Sequence, residues 1–303
     1  MKFINLICCI LIVGLPICMF AGDSGDTGLA FLKVDVDSRS AAMAGAFTAM
    51  ATDATAAYWN PAGLAANDHR QLSLTHHVSI TDITQEYASV KFSKAAHHFG
   101  VSVNVYNIPG IEVRGEAPTA DPDGVVDALN FYGALSYARA IGDNWQVGAT
   151  AKYLYEKLYL NSASGWAFDI GVRRAAIIKG LNWGLTLQNL GQMNKLKDQE
   201  TPLPMLARTG FAYTIPYAVL GHQPLVAADL EYIKDGETSF RFGTEIPLLD
   251  QLAFRVGYRH SADYSTWTTG LGLNYKQFNF DYAYVPDAFS LGSSHRFSVG
   301  FYF

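Results

Sequence analysis

The feature that most constrains this chain is an alternation of apolar with polar or small residues that sets in near residue 72 and runs to the last residue. A period of two belongs to a strand whose faces differ. Val101, Val103 and Val105 alternate with Ser102 and Asn104, and Trp145, Val147, Ala149, Ala151 and Tyr153 with Gln146, Gly148, Thr150 and Lys152. Trp166, Phe168, Ile170 and Val172 stand against Asp169 and Arg173, and Leu252, Phe254, Val256 and Tyr258 against Arg255 and Arg259. With the less regular stretches near 86–93, 129–138, 206–214, 225–232 and 239–244, the pattern predicts about fourteen strands of roughly eight to ten residues, the length a tilted strand needs to cross a bilayer.

Aromatic residues make up 13% of the chain and charged residues only 16%. No stretch after the first twenty residues is apolar for the ~18 residues that a spanning helix needs, which excludes a helical membrane protein. A soluble β-sandwich also alternates, but its strands usually run to about five or six residues and do not call for so much aromatic weight. The opposite face carries Arg241, Arg255, Lys152, Asp169, Asp229, Asp281 and Asn274, which suits a polar lumen and would be costly against lipid. Connections alternate in length: Lys276-Gln277 and Ile141-Gly142-Asp143-Asn144 are tight, whereas 107–127, 189–205 and 285–294 are long. The fold class expected is therefore all-β, a transmembrane antiparallel β-barrel over residues 71–303, with outer-membrane lipid as the partner of its apolar face and the long connections outside the cell. The ending, with Phe297, Val299, Phe301 and Phe303 at alternate positions, has the form of the insertion signal of bacterial outer-membrane barrels.

Residues 1–21 have the outline of a cleaved secretory signal peptide: Lys2, an apolar run from Phe3 to Phe20 broken by Pro16, then small and polar residues. A lipoprotein site at Cys18 would need a small side chain where Ile17 stands. The three cysteines, Cys8, Cys9 and Cys18, fall inside this leader, so no disulfide or cysteine metal site is expected in the mature chain. Net charge is −5, without a basic run, and nucleic acid is not an expected partner.

Residues 22–70 have another texture, small and alanine-rich. Thr52 or Asp53 is placed to cap a short helix that Pro61 stops. A segment so poor in bulky residues cannot make its own core, and Phe31, Phe47, Tyr58 and Trp59 speak against a free tail. The expectation is a partly helical plug inside the barrel, with Tyr58 and Trp59 as wedges, Asn60-Pro61-Ala62 as a turn and Gly63 permitting a sharp bend after it.

Three stretches carry a resemblance: Ala30–Val34, Ser38–Ala49 and Asp53–Ala65, the last with Asn60-Pro61-Ala62. Together they resemble the opening of the PorV/PorQ family, which is itself similar to FadL-type transporters. The match is specific over about residues 28–66 and departs from the family at Arg39–Gly45, where alanines stand at positions that family members more often fill with leucine or glycine. The resemblance implies a fourteen-stranded barrel with an N-terminal plug and two possible functions. As in the PorV/PorQ family, the protein would bind exported cargo proteins and other secretion components in type IX secretion and surface attachment. As in FadL-type proteins, it would be a channel for fatty acids or other hydrophobic small molecules. A hydrophobic path needs an apolar interior, so the charged face assigned to the lumen favours the first.

No catalytic set, cofactor or metal site is expected. His76-His77 and His97-His98 are adjacent pairs that point to opposite faces of a strand and cannot converge on one metal. His295 with Ser293 and Ser294 lacks a carboxylate to orient it. The acidic run from Glu116 to Asp127 lacks the spacing of an EF-hand and is expected to be a solvated loop.

Overall fold

The computed structural model describes residues 28–115, 120–234, 236–287 and 292–303. The leader expected over 1–21, with its cysteines, lies outside the described residues, as do 22–27 and part of the acidic loop, 116–119.

Fourteen strands form a closed barrel in which each pairs antiparallel with its neighbours in sequence and the first pairs with the last. They are β1 (Gln71–Val78), β2 (Thr84–Lys94), β3 (His97–Val113), β4 (Gly124–Ile141), β5 (Trp145–Leu158), β6 (Asn161–Ile178) and β7 (Leu181–Met193). The circuit continues through β8 (Leu206–Thr214), β9 (Leu225–Ile233), β10 (Thr238–Pro247), β11 (Leu252–Ser261), β12 (Ser265–Tyr275), β13 (Phe278–Pro286) and β14 (Ser293–Tyr302). Closure satisfies every strand edge within the chain, which a sheet facing lipid requires.

The alternation becomes two faces. Leu135, Trp166 and Trp267 point outward, 67%, 59% and 63% exposed, with Phe168, Phe211 and Phe297 beside them in a continuous apolar belt. A patch of this extent belongs against lipid. Arg208, Arg241, Lys152, Asp169 and Asp229 point inward and are buried.

Gln71 pairs with Tyr302, so β1 begins and β14 ends at the same mouth, here the terminal end. The strand ends that flank 114–123, 194–205 and 287–292 all lie at the opposite, far end. One long connection does not: residues 215–224 form a small hairpin at the terminal end, closed by paired Val219 and His222, with Tyr217 and Leu220 exposed.

The expected loop 107–127 is shorter than its sequence suggests. Pairing slips between Ile108 and Ile111, where Gly110 takes a positive φ of 73°, and resumes with Ile111 opposite Val126. Pro109 and Gly110 thus mark a bulge inside β3, the place where a sheet tolerates proline, and not its end. Similar slips in β6 hide the length of that strand. As a result β3 and β4 reach 17 and 18 residues and overhang their neighbours at the far end.

Candidate functional site

Inside the barrel lies the segment from Gly28 to Arg70. The Gly28 amide donates to the Pro202 carbonyl in a far-end connection, at 3.0 Å. From there the chain passes a 3-10 turn (Ala30–Lys33), helix α1 (Ser38–Ala42), helix α2 (Ala56–Trp59) and a second 3-10 helix (Pro61–Ala66), and enters β1 at the terminal end. It therefore crosses the lumen from one mouth to the other.

Short helices and irregular loops leave many backbone groups unpaired, and buried ones must find partners. Here the barrel wall supplies them. Asp229 accepts from the Phe47 and Thr48 amides at 3.0 and 2.8 Å. Arg173 Nε donates to the Ala49 carbonyl, Lys91 Nζ to that of Thr52 and Thr268 Oγ1 to that of Ala42, at 3.0, 2.7 and 2.9 Å. Gln71 accepts from the Ala54 amide, and Gln188 donates to the Tyr58 carbonyl. Ser38 meets Ser298 through its amide and its hydroxyl, at 2.9 and 2.8 Å.

Charge is matched in the same way. Arg39 forms a two-pronged pair with Glu245, both contacts at 2.8 Å, and Glu245 in turn holds Arg255, which reaches Asp281. Higher in the barrel, Glu231 lies between Arg208 and Arg241. The inward charges thus do not line an open polar channel. They are sockets for the interior segment and for one another, and their number says little about what the barrel might pass.

The structure brings the predicted plug residues together. Trp59 Nε1 donates to Asp37 at 2.9 Å, and the Tyr58 and Phe47 rings meet the indole edge-on, with centroids 5.2 and 5.8 Å away. The Arg208 guanidinium lies over Trp59 and Tyr58, 4.8 and 5.5 Å from their centroids. Asp37 also caps α1 through the Ser40 amide.

Asn60 caps the second 3-10 helix and donates to the Thr48 and Val172 carbonyls, each at 3.1 Å. Pro61 and Ala62 follow it into a groove of the wall made by missing side chains. A Cβ on Gly171 would fall 2.1 Å from Asn60 Oδ1, and one on Gly148 2.5 Å from the Pro61 carbonyl carbon. Gly63 does not make the sharp bend expected of it. It lies within the 3-10 helix, where a Cβ would come within 1.9 Å of the Ala51 carbonyl oxygen, so close approach is what requires glycine there. The cap of α2 also shifts: the helix starts after Thr55, and Asp53 accepts from the Thr55 amide. Phe297, Val299, Phe301 and Phe303 lie apart from this site, in the outward belt at the end of the chain.

A cavity of about 620 Å³ opens at the far end of the barrel. Lys33, Val34 and Asp35 of the interior segment line it, facing Tyr106, Arg259 and Arg296 of the wall. Sequence reasoning missed this site. Its residues come from six strands, the connections between them and the interior segment, and only the register between distant strands places them together.

The profile of an uncharacterised protein family (UPF0164) matches residues 23–166. No curated protein matches the chain. Among solved structures, the Pseudomonas putida toluene transporter TodX is similar with a TM-score of 0.66 at 13% identity, covering 87% of this chain and 96% of that one. Its deltaS2S3 mutant, a monoaromatic hydrocarbon channel, gives 0.68 at 12%, covering 88% and 98%. At such identities the likeness is one of fold alone, and it does not extend to the PorV/PorQ assignment. The chain is a closed fourteen-stranded antiparallel barrel of the fold seen in TodX, with an interior segment threaded from mouth to mouth.

Proposed function

We propose that this protein is an outer-membrane channel for small molecules, entered at the far-end cavity and closed by residues 28–70 acting as a plug. The observation that carries the reading is that the plug forms part of the cavity. Any molecule lodged there touches Lys33, Val34 and Asp35, the upper end of the segment that blocks the way. A ligand shifts a gate only through contacts that differ between closed and open states, and this arrangement supplies them. The apolar belt supports a bilayer as the surroundings, and the likeness to TodX, a toluene transporter, supports passage over the secretion role that the PorV/PorQ resemblance implied. The long connections at the far end support that mouth as the outer one.

The test locks the plug. Ser38 and Ser298 stand with their hydroxyls 2.8 Å apart, close enough for a disulfide between Ser38→Cys and Ser298→Cys. In proteoliposomes the reduced double variant passes small solutes and the oxidised one does not. Equal flux in both forms, with the crosslink confirmed by mass, rules out the plug as gate. Absence of flux for every solute in the reduced form rules out a channel.

A further inference from the structure

Buried polar atoms without a hydrogen-bond partner are not spread evenly through the barrel. Most of those among the described residues gather on the inner wall from β14 through β1, β2, β3 and β4. Arg296 Nε, His77 Nε2, Gln85 Nε2, the Tyr87 hydroxyl, both amide atoms of Asn104 and Asn130 Oδ1 are all unpartnered. Each of these side chains belongs to a residue at most 8% exposed. Register makes them neighbours: Arg296 stands opposite His77, His77 opposite Gln85, Gln85 opposite Tyr106 and Tyr106 opposite Asn130, with Tyr87 and Asn104 paired in the row below. Native proteins leave few such groups unmet, so the wall is built to be completed by something else.

Arg296, His77 and Tyr106 line the far-end cavity, where the wall is open. No carboxylate among the described residues lies within ion-pair distance of Arg296, on whose charge Asp35 and Asp37 act from further off. Asp35, lining the same cavity, pairs with Arg241 at 3.5 Å, and Glu237 with Arg259 at 3.3 Å. Below the cavity the plug's Phe31 packs on Tyr106 and Tyr132, with centroids 6.1 Å away in each case, and covers the inner part of the wall. A buried guanidinium with a free donor is matched by a carboxylate or phosphate. Amides, a phenol and an imidazole are matched by hydroxyls and are wasted on a hydrocarbon.

We infer that the far-end cavity takes a small, hydroxyl-bearing anion, with Arg296 holding its charged group and the His77 and Tyr106 side chains its oxygens. This rests on the channel reading above and names the class of molecule admitted.

The experiment measures binding to the purified full chain in detergent by calorimetry, with glucuronate, glucose 6-phosphate, glucose and cyclohexanecarboxylate as probes. One or both sugar anions bind, the preferred one showing which anionic group is held. Glucose and cyclohexanecarboxylate bind at least tenfold more weakly. Arg296→Gln lowers affinity for the anions at least tenfold without lowering the melting temperature. Tyr106→Phe, which removes a hydroxyl from the cavity lining, weakens glucuronate but not cyclohexanecarboxylate, and serves if the arginine variant does not fold. No binding of either sugar anion, or binding unchanged in both variants, overturns the inference and leaves the wall to water. Equal affinity for glucuronate and cyclohexanecarboxylate overturns the hydroxyl-bearing class. Binding is measured without flux, so a failed site leaves the plug-locking result standing, and the reverse.

Discussion

The two halves of the lumen are built from the same strands and the same alternating pattern, yet they end in opposite states. In the terminal half the inward polar side chains meet the backbone of the interior segment: Asp229 on Phe47 and Thr48, Arg173 on Ala49, Lys91 on Thr52. In the far half, along β14 and β1–β4, side chains of the same kind keep buried donors and acceptors unmet, even where His77 and Gln85 bond to each other. What separates a seal from a site is therefore not polarity. It is whether a second stretch of chain arrives with complementary donors and acceptors.

The largest way to break the contrast is Asp229→Ala, which leaves two buried amides without their anionic acceptor. We expect a loss of roughly 3 kcal/mol, read as a lower melting temperature in detergent, together with increased leak of small ions through planar bilayers. A cost below about 0.5 kcal/mol with no leak would mean that the socket does not hold the plug. Next in size is Gly171→Ala, whose methyl group collides with Asn60 and should cost about 1–3 kcal/mol. Gly133→Ala is its control, since a Cβ there meets only the Phe131 ring, at 3.5 Å. Equal melting temperatures for the two alanine variants would show that the plug is not tightly seated in its groove. The smallest effect sharpens the other side: Arg296→Gln should change stability by no more than about 0.5 kcal/mol, because no partner is lost. A drop like that of Asp229→Ala would place Arg296 among the sockets.

The faces of the strands were legible because a period of two allows only two choices. Arg241, Arg255, Lys152, Asp169, Asp229 and Asp281 all point inward, as their spacing required. Their partners were not legible. Arg39 and Glu245 are 206 positions apart, and alternation tells which way a charge points without telling what it meets. That is why a charged inner face suggested a polar lumen when it serves to hold the interior segment. The long strands were obscured for a related reason: a bulge at Pro109 and Gly110 imitates a loop by breaking the period while the pairing carries on. Asn60-Pro61-Ala62 stood out in the sequence, but the glycines that receive it, Gly148 and Gly171, looked like ordinary small residues on alternating strands.

The path of the interior segment also bears on assembly. Gly28 is tied to Pro202 at one mouth, and the chain joins β1 at the other, where Gln71 pairs with Tyr302. The seam between β1 and β14 brings together the most distant strands in the sequence, and contacts of such separation carry the highest entropic cost of closure. Once that seam has zipped, residues 28–70 can be installed only by passing a free end through the bore. The order that avoids such threading has the segment in place while the wall closes round it, which would make it a mandrel for the nascent barrel.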